Sequence, residues 1–385
     1  MRLGDVCSIY TGTGFPIQYQ GESNGIYPFY KVGDISRNVA NGNVFLQECE
    51  NYISEEIVKK IKGTIVPANS VVFAKIGEAV KLNRRAITSQ DCLVDNNAMG
   101  IYPDQKIIYL SYFYHYMCNL KLEQYAEATT VPSVKKSVIE NLDIPLPEYD
   151  EQIRISTLID KINECISLRK QQLAKLDELV KARFVELFDS YIEAAKLSDV
   201  ATVSGGLTKN AKRDKLPLRM PYLRVANVSF ASIDVSEMLD IGLTEEEYEK
   251  TLLQNGDLLF VEGNGSPDQI GRVAIWQNEI VPCVHQNHLI KSRFNRGLVI
   301  PVFAMYYFMS PKGREQIRSK AVSTSGLYTL SVSKISDLAI PVPPIELQNQ
   351  FAAFVEQTDK SKSAIQQSLD KLETLKRALM QKYFG

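Results

Sequence analysis

The same ordered series of short motifs occurs twice in this chain of 385 residues. Repeats of this kind decide the architecture before any local feature does. Collinear matches, at offsets that drift between 187 and 196 residues, pair positions 2–6 with 196–200, 12 with 206, 28–36 with 221–229, 70–73 with 257–260, 92 and 96 with 283 and 287, and 142–147 with 338–343. Because their order is the same in both halves, the sequence predicts a duplicated chain with internal pseudo-two-fold symmetry.

Each copy of the repeat ends in an Ile-Pro-x-Pro element, and a long helical pattern follows it. Apolar residues recur there at alternating spacings of four and three, which is the heptad pattern of a coiled coil. The prolines can precede or open a helix but cannot continue one, so each helix has a defined start. The predicted coiled-coil seam consists of Ile155, Ile159, Ile162, Ile166, Leu173, Leu176, Val180 and Leu187 in the first copy, and Phe351, Val355, Ile365, Leu369, Leu372 and Leu379 in the second.

The length of these helices bears on how they pack. About 40 residues at ~1.5 Å each make a rod of ~60 Å, which is longer than a domain of ~150 residues is wide. We therefore expect the two rods to bury their seams against each other and, in a duplicated chain, to run antiparallel. The alternative is two ordinary amphipathic helices, each packed on its own domain.

The remainder of each copy has a mixed pattern. Short β-branched and aromatic runs bounded by Gly, Asn and Asp are typical of strands, and tyrosine-rich segments at 109–117 and 302–309 are more typical of helices. The predicted fold class is α+β, with two mixed α/β units separated by two long antiparallel coiled-coil helices. The predicted boundaries are 1–147 for the first unit, 148–190 for the first helix, 191–343 for the second unit and 344–385 for the second helix.

Composition excludes several classes of protein. The net charge of −1 cannot by itself attract a polyanion, so any DNA contact has to come from local patches. No apolar run approaches the ~20 residues of a membrane span, and the N-terminus lacks the apolar core of a signal peptide, so we expect a cytoplasmic protein without a membrane contact. The six cysteines include no Cys-x-x-Cys pair, which is typical of reduced thiols. Cys283, His285 and His288 lack a fourth ligand at a sensible spacing, so we expect no metal site.

Catalytic motifs are missing from the sequence. It contains no Gly-x-x-x-x-Gly-Lys-Ser/Thr phosphate loop, no His-Glu-x-x-His and no Asp/Asn-Pro-Pro-Tyr/Phe string of an amino-methyltransferase. With three histidines in total, a His-based catalytic triad has few candidates. We therefore interpret the chain as a binding protein that is not an enzyme and needs no cofactor of its own.

Polar and basic side chains recur in corresponding turns of the two units and are the candidate DNA-binding residues. In the first unit these are Thr11, Thr13, Lys31, Lys75, Lys81, Asn83, Arg84, Arg85, Asn96, Asn97 and Thr130. In the second they are Thr208, Lys209, Asn210, Arg213, Arg224, Asn264, Ser266, Arg272, Gln286, Asn287, His288 and Ser325. Arg and Lys can bridge guanine O6 and N7, Asn and Gln can bridge adenine N6 and N7, and Ser, Thr and Lys can bind phosphates. Each residue alone could be an ordinary solvated side chain, but two similar frames with different loop residues would read two different half-sequences.

The layout resembles the specificity subunit of a type I restriction-modification system over essentially the whole chain. The resemblance rests on the Leu-x-Asp-Val opening at 3–6, the Thr-Gly pair at 11–12, and the Ile-Pro-Leu-Pro element at 144–147 that leads into Glu-Gln-Ile-Arg-Ile at 151–155, followed by the same arrangement again. The second junction, at 343–348, departs from this pattern at the Glu-Gln pair. The resemblance implies two target recognition domains held apart by an antiparallel coiled coil and bound to a bipartite sequence in double-stranded DNA. It also implies two methyltransferase (M) subunits, which carry S-adenosylmethionine, and restriction (R) subunits as partners.

Helix length agrees with a bipartite target, because ~60 Å spans roughly 18 base pairs of DNA at ~3.4 Å each. Two other functions stay open from the residues alone. One is a coiled-coil scaffold whose two end domains bind proteins rather than DNA, and the weaker one is an enzyme with an unrecognised site.

Overall fold

The computed structural model describes residues 1–47, 49–126, 131–324 and 326–385. The chain forms two compact units: unit 1 contains Met1–Lys170 and Gln367–Gly385, and unit 2 contains Gln171–Gln366. Both long helices therefore contribute residues to both units, whereas the sequence analysis placed each helix in a segment of its own.

Unit 1 begins with a short helix that leads directly into the first strand. Its elements are α1 (Leu3–Val6), β1 (Cys7–Thr11), β2 (Tyr27–Tyr30), α2 (Val32–Ala40), β3 (Tyr52–Ile53), α3 (Glu55–Lys60), β4 (Val71–Ala74), β5 (Arg85–Ile87), β6 (Leu93–Val94), β7 (Ala98–Pro103), α4 (Leu110–Asn119), α5 (Lys136–Glu140) and the long helix α6 (Tyr149–Phe188), which continues into unit 2.

Unit 2 repeats this order with additional short strands. Its elements are β8 (Ala194–Lys196), α7 (Leu197–Val200), β9 (Ala201–Gly205), β10 (Leu218–Leu223), β11 (Val228–Ser229), β12 (Ser232–Ile233), β13 (Leu239–Leu243), α8 (Glu245–Thr251), β14 (Leu258–Val261), β15 (Gly263–Asn264), β16 (Val273–Ile275), β17 (Val284–His285), β18 (Leu289–Phe294), α9 (Pro301–Met309), α10 (Pro311–Lys320), β19 (Val322–Thr324), β20 (Leu327–Thr329), α11 (Val332–Ser336), β21 (Ala339–Pro341) and the second long helix α12 (Ile345–Phe384).

The main sheet has the same strand order in both units. It is β1-β7-β4-β5 in unit 1 and β9-β18-β14-β16 in unit 2, and every neighbouring pair is antiparallel. A smaller mixed sheet is repeated as well, because β3-β2-β6 corresponds to β13-β10-β17 and the β2–β6 and β10–β17 pairs are both parallel. The duplicated α+β fold predicted from the sequence is thus confirmed in the topology.

Helices α6 and α12 are each 40 residues long, as the heptad pattern predicted. Each starts within two residues of an Ile-Pro-x-Pro element, because the prolines cannot donate the backbone hydrogen bonds that a helix interior needs. Within the described part of the chain, no helix combines the length and the apolar character that crossing a lipid bilayer would require.

The two long helices run antiparallel where they meet in unit 2. Phe351, near the start of α12, packs edge-on against Phe184 and Phe188, near the end of α6, at ring-centroid distances of 5.4 and 5.6 Å. Further along, Lys362 Nζ lies 2.6 Å from Asp177 Oδ1. Residue numbers therefore increase along one helix as they decrease along the other, which is the antiparallel arrangement.

Unit 1 has the same antiparallel pairing at the opposite ends of the helices. Lys170 Nζ lies 3.3 Å from Glu373 Oε1. Ile155 and Ile159 of α6 share a hydrophobic core with the sheet of unit 1, and Met380 of α12 packs against that core. The helix ends therefore pack both on each other and on their own globular part, so each of the two packing schemes considered from the sequence describes part of the interface.

Burial of the predicted seam varies along the helices. Ile159, Val180 and Phe351 are fully buried, whereas Ile166 and Leu176 are only half-buried. The variation does not follow position along the helix alone, since Leu369 in the middle of α12 is buried and Leu187 near the end of α6 is half-buried. All the described seam residues are buried or half-buried, and none is exposed.

A buried glutamine fastens α6 to the globular part of unit 1. The Gln152 side chain is 1% exposed. Its Oε1 accepts a hydrogen bond from the backbone N–H of Tyr109 at 2.9 Å, and its Nε2 donates to the carbonyl oxygens of Ile107 and Pro147, both at 3.0 Å. One amide thus satisfies three backbone groups from two chain segments.

Gln348 repeats this arrangement in unit 2. Its Oε1 accepts from the N–H of Ile300 at 2.8 Å, and its Nε2 donates to the carbonyls of Leu298 and Pro343 at 2.9 and 2.8 Å. The second junction departs from the first at the Glu-Gln pair, as the sequence indicates, but the departure does not extend to the glutamine. Only the glutamate differs, because Leu347 stands in the second copy where the first has an acid, and the glutamine is kept for its hydrogen bonds.

We expect Gln348→Ala to destabilise unit 2 by about 3 kcal/mol, because it leaves buried backbone groups without partners at a cost of ~1–3 kcal/mol each. Urea unfolding followed by tryptophan fluorescence measures this directly, since Trp276 is the chain's single tryptophan and is fully buried in unit 2. The control is Gln350→Ala, an exposed glutamine two residues later on α12. Equal unfolding midpoints for the two variants would contradict the assigned role.

Candidate nucleic-acid interface

Three turns converge at one edge of the main sheet in unit 1. The chain leaving β1 reaches the turn before β7 through a hydrogen bond from Thr13 N–H to the Val94 carbonyl at 2.9 Å. The end of β4 reaches the same turn, where Lys75 N–H donates to the Asn97 carbonyl at 2.8 Å. A later segment closes the edge, because Val134 N–H donates to the Lys75 carbonyl at 2.9 Å.

Unit 2 has the same backbone hydrogen bonds at the corresponding edge. Leu207 N–H donates to the His285 carbonyl at 2.9 Å, and Glu262 N–H donates to the His288 carbonyl at 2.9 Å. Leu330 N–H donates to the Glu262 carbonyl at 2.8 Å. We refer to these regions as the polar edge of each unit, comprising residues 11–13, 75 and 95–97 in unit 1 and 206–210, 262–266 and 286–288 in unit 2.

A glycine in each unit permits this convergence. A Cβ atom on Gly12 would lie 1.8 Å from the Asp95 carbonyl oxygen, and one on Gly206 would lie 2.2 Å from that of His285. No side chain fits at such a distance, so the two backbone segments can approach only where glycine stands. The match between positions 12 and 206 in the sequence therefore marks the same close contact in both copies.

In unit 1, some of the candidate DNA-binding residues lie on the polar edge and others do not. Those on the edge are Thr11, Thr13, Lys75, Asn96 and Asn97, of which the two asparagines are exposed and the others half-buried. Those elsewhere have side-chain partners within the unit: Lys31 with Gln20, Lys81 with Glu78, Asn83 with the Cys118 carbonyl, and Arg84 with the Ser36 carbonyl. Thr130 lies outside the described residues.

Arg85 is a correction to the sequence-based site, because its side chain is inside the unit. It is 2% exposed, and its guanidinium lies 4.9 Å from the ring centroid of Phe73. It donates hydrogen bonds to Asn83 Oδ1 at 2.7 Å and to the Met117 carbonyl at 3.2 Å. Burial lowers its pKa to about 10. Arg85 thus ties the end of α4 to β5 and does not reach the surface.

In unit 2, most candidates lie on the polar edge. They are Thr208, Lys209, Asn210, Asn264, Ser266, Gln286, Asn287 and His288, and each is either exposed or half-buried. Ser325 lies outside the described residues. The edge is extended by the sheet β15-β20-β19, where unit 1 has a single bridge between Ile76 and Ser133 in its described part.

The three candidate arginines of unit 2 are committed to internal contacts. Arg213 makes a two-pronged ion pair with Glu247, at 2.8 and 2.9 Å, and these bonds hold the pKa of that carboxyl below its usual value. Arg224 donates to the carbonyl of residue 237 at 2.9 Å, and Arg272 donates to the carbonyls of residues 225 and 228 at 3.1 and 2.8 Å. In this conformation they brace loops instead of presenting charge to a phosphate.

Sequence reasoning missed Glu262, which occupies the polar edge of unit 2. Its Oε2 lies 2.8 Å from His288 Nδ1, and its side chain is 28% exposed against 54% for the histidine. The sequence-based candidates are basic, amide and hydroxyl side chains, so this acidic residue is not among them. The offset of 187 residues that aligns 70–73 with 257–260 already pairs it with Lys75.

Three further basic residues of unit 2, of which His285 and Lys291 are buried and Arg293 is half-buried, cap helix α8. Lys291 Nζ, Arg293 Nη2 and His285 Nδ1 donate to carbonyl oxygens at the C-terminus of α8 and just beyond it, at 3.0–3.1 Å. Arg293 also pairs with Asp257 at 2.7 Å. Positive groups are favourable at a helix C-terminus, where unpaired carbonyls collect. Burial lowers the pKa of Lys291 to about 8.

Metal binding finds no support in the side-chain arrangement. Cys283 and His285 are buried, whereas His288 faces outward beside Glu262. Among the described residues, no three His, Cys, Asp or Glu side chains are grouped so that they could hold a metal ion.

Comparison with known proteins identifies one family. A family model described as "Type I restriction modification DNA specificity domain" matches residues 1–178 and again residues 190–376. The chain is 21% identical over 317 residues to the type I restriction enzyme EcoKI specificity subunit of Escherichia coli, an alignment that covers 74% of this chain and 67% of that protein. It is also 21% identical over 408 residues to the MjaVIII specificity subunit of Methanocaldococcus jannaschii, covering 99% of this chain and 90% of that one.

The extent of these alignments varies. Against the first three relatives, the chain spans 50%, 67% and 61% of the relative's own length. Among solved structures, the type I restriction-modification system S subunit from M. genitalium has a similar fold, with a TM-score of 0.57, 13% sequence identity and coverage of 100% of this chain and 95% of that one.

Burial of His285 predicts how the stability of unit 2 depends on pH. Burial lowers the pKa of His285 from 6.5 to about 4. Between these values the unfolded chain binds a proton that the folded unit does not, so the free energy of unfolding falls as the pH falls from 6.5 to 4. We expect His285 to account for up to about 3 kcal/mol of this loss.

Urea unfolding of unit 2, followed by Trp276 fluorescence at several pH values in this range, tests the assignment. Carboxyl groups titrate in the same range, so the comparison is with His285→Gln, which cannot bind the proton. The variant is expected to lose less stability on acidification than the parent protein. The same pH dependence in both would show that His285 does not contribute.

Proposed function

This chain belongs to the type I restriction modification DNA specificity domain family, and from that membership we propose that it is a specificity subunit that recognises a bipartite sequence in double-stranded DNA. Each unit acts as one target recognition domain and contacts one half of the target through its polar edge. Phosphate contacts position such a domain, and base-edge contacts give it sequence specificity.

One observation carries this proposal. The two units share strand order, close glycine contact and backbone hydrogen bonds, yet they carry different side chains on the polar edge. Lys75 and Asn97 in unit 1 correspond to Glu262 and His288 in unit 2. A conserved frame with different hydrogen-bonding groups is suited to reading two different half-sequences.

The proposed partners are two methyltransferase subunits and restriction subunits. Apolar side chains are exposed along α6, at 43% for Leu158 and 50% for Leu168 in unit 1, and at 50% for Leu179 and 51% for Val185 in unit 2. A partner subunit that covered these side chains would remove apolar surface from water, which is favourable. They support docking of the partner subunits on the long helices.

We propose that the chemistry belongs to those partners and that this chain is non-catalytic. S-adenosylmethionine would be bound by the methyltransferase subunits, and this chain would hold no cofactor. Its part is then to place the partners on the DNA that its two units select.

DNA binding is tested with the full chain and a fluorescent random-sequence duplex, by anisotropy over a series of salt concentrations. The logarithm of the binding constant should fall linearly with the logarithm of the salt concentration, with a slope of about −0.9 for each phosphate neutralised. Lys209→Gln removes an exposed cation of the polar edge and should reduce the slope by about 0.9. The control is Lys250→Gln on α8, whose lysine is exposed and paired with Glu246. Binding without salt dependence, or equal effects of the two variants, would count against the proposed interface.

A second test concerns the spacing of the half-targets. Duplicating one heptad in each long helix, residues 163–169 in α6 and 372–378 in α12, adds ~10 Å of helix, which corresponds to about three base pairs. Methylome sequencing of cells that carry the partner subunits should show a longer non-specific spacer between two unchanged half-sequences. Altered half-sequences with an unchanged spacer would contradict the role of the helices in spacing.

A further inference from the structure

The residue that follows the second strand from the edge of the main sheet occupies the same place in both units. Lys75 follows β4 and Glu262 follows β14 by one position. The backbone N–H of each donates to a carbonyl in the turn before the neighbouring strand of the sheet, β7 or β18. The backbone carbonyl of each accepts from an N–H of a later segment, that of Val134 in unit 1 and that of Leu330 in unit 2. The side chains of Lys75 and Glu262 therefore leave equivalent points of one backbone frame, and the same holds for their partners across the turn, Asn97 and His288.

The hydrogen-bonding chemistry at this position is opposite in the two units. A lysine ammonium has three donors and no acceptor, and an ionised glutamate has only acceptors. In unit 2, Glu262 Oε2 is engaged by His288 Nδ1 at 2.8 Å, and Oε1 has no hydrogen-bond partner among the described residues. The histidine thus holds the carboxylate in one orientation and leaves one oxygen available to a ligand.

Electrostatics restricts what that oxygen can face on DNA. A carboxylate is repelled by phosphates and by the acceptor atoms that guanine and thymine present in the major groove. Adenine offers its N6 amino group beside the acceptor N7, whereas cytosine offers its N4 amino group with no acceptor on its own edge, and Glu or Asp is the residue that accepts from cytosine N4. Lysine has the reverse preference, for guanine O6 and N7.

We propose that this position reads one base in each half-target, with guanine opposite Lys75 and cytosine opposite Glu262. The inference rests on the proposed function, because it requires that the polar edges contact DNA. It adds which residues set the sequence and which base each one selects. His288 is a positioning residue, because it orients the Glu262 carboxylate across the turn.

The experiment selects duplexes from a randomised library with the full chain and sequences those that are retained. The parent protein should enrich a bipartite motif with guanine in one half and cytosine in the other. Glu262→Gln should convert that cytosine to adenine, since glutamine can bridge adenine N6 and N7, and should reduce discrimination in favour of cytosine by about tenfold or more. Every other position of the motif should stay as it was.

Two further variants complete the design. Lys75→Gln should replace the guanine of the other half by adenine and leave the half read by unit 2 unchanged. Glu249→Gln, at an exposed carboxylate on α8 of unit 2, is the matched control and should leave the motif intact. Unchanged far-ultraviolet circular dichroism verifies that each variant is folded, and unchanged Trp276 fluorescence verifies it further for the two variants in unit 2.

The possible outcomes distinguish failure of the proposed function from failure of the base assignments. A parent protein that enriches no motif overturns both the proposed function and this inference. A parent protein that enriches a bipartite motif which Glu262→Gln leaves unaltered overturns the inference alone. A uniform loss of affinity for all duplexes with Lys75→Gln assigns Lys75 to a phosphate contact and overturns its base-reading role.

Discussion

The packing of each long helix on its globular part depends on one buried side-chain amide. At each Ile-Pro-x-Pro junction the carbonyl of the last proline accepts a hydrogen bond from the glutamine side chain, Gln152 or Gln348. The same amide binds one carbonyl and one N–H of the segment before α4 or α9, so it joins the start of the long helix to the globular part. Glutamate has no donor when ionised and leucine has neither group, so neither could replace the glutamine without leaving buried polar groups unpaired. The direction in which each helix leaves its sheet is thereby set in the same way twice.

A frame held by backbone atoms leaves the side chains free to differ. At the polar edges, the contacts that bring three turns together are hydrogen bonds between main-chain groups, and the tightest approach is at Gly12 and Gly206, which have no side chain. Substituting Lys75 by glutamate or Asn97 by histidine costs the frame nothing, because none of the converging bonds involves those side chains. This separation of scaffold from surface chemistry explains how two halves of one chain can keep a topology and diverge in what they contact.

The repeat, the α+β class and the extent of both long helices were predictable from the sequence, because they depend on periodicity, proline placement and collinear matches. Whether an individual polar side chain is buried or exposed was not predictable in this way. Arg85 and Lys75 are both basic residues near strand ends, yet one is buried against Phe73 and the other lies on the polar edge. Periodicity places an arginine on a strand but does not reveal that the carbonyls at the end of α4 will bind it. Glu262 was missed for a different reason, since only pairing through the repeat offset identifies it as the counterpart of Lys75.

The net charge of the chain and the placement of its arginines both bear on how it binds DNA. The formal net charge is −1, and on unit 2 the side chains of Arg213, Arg224, Arg272 and Arg293 are largely committed to internal partners. Non-specific affinity for DNA rises with the number of phosphates that free cations neutralise, so each arginine committed to an internal partner lowers it. Amide and carboxylate contacts to base edges add selectivity without adding that general attraction. Because discrimination among the many sites of a genome depends on the ratio of specific to non-specific affinity, a nearly neutral chain that commits these four arginines to its own loops is better suited to selecting one sequence than a strongly basic chain would be.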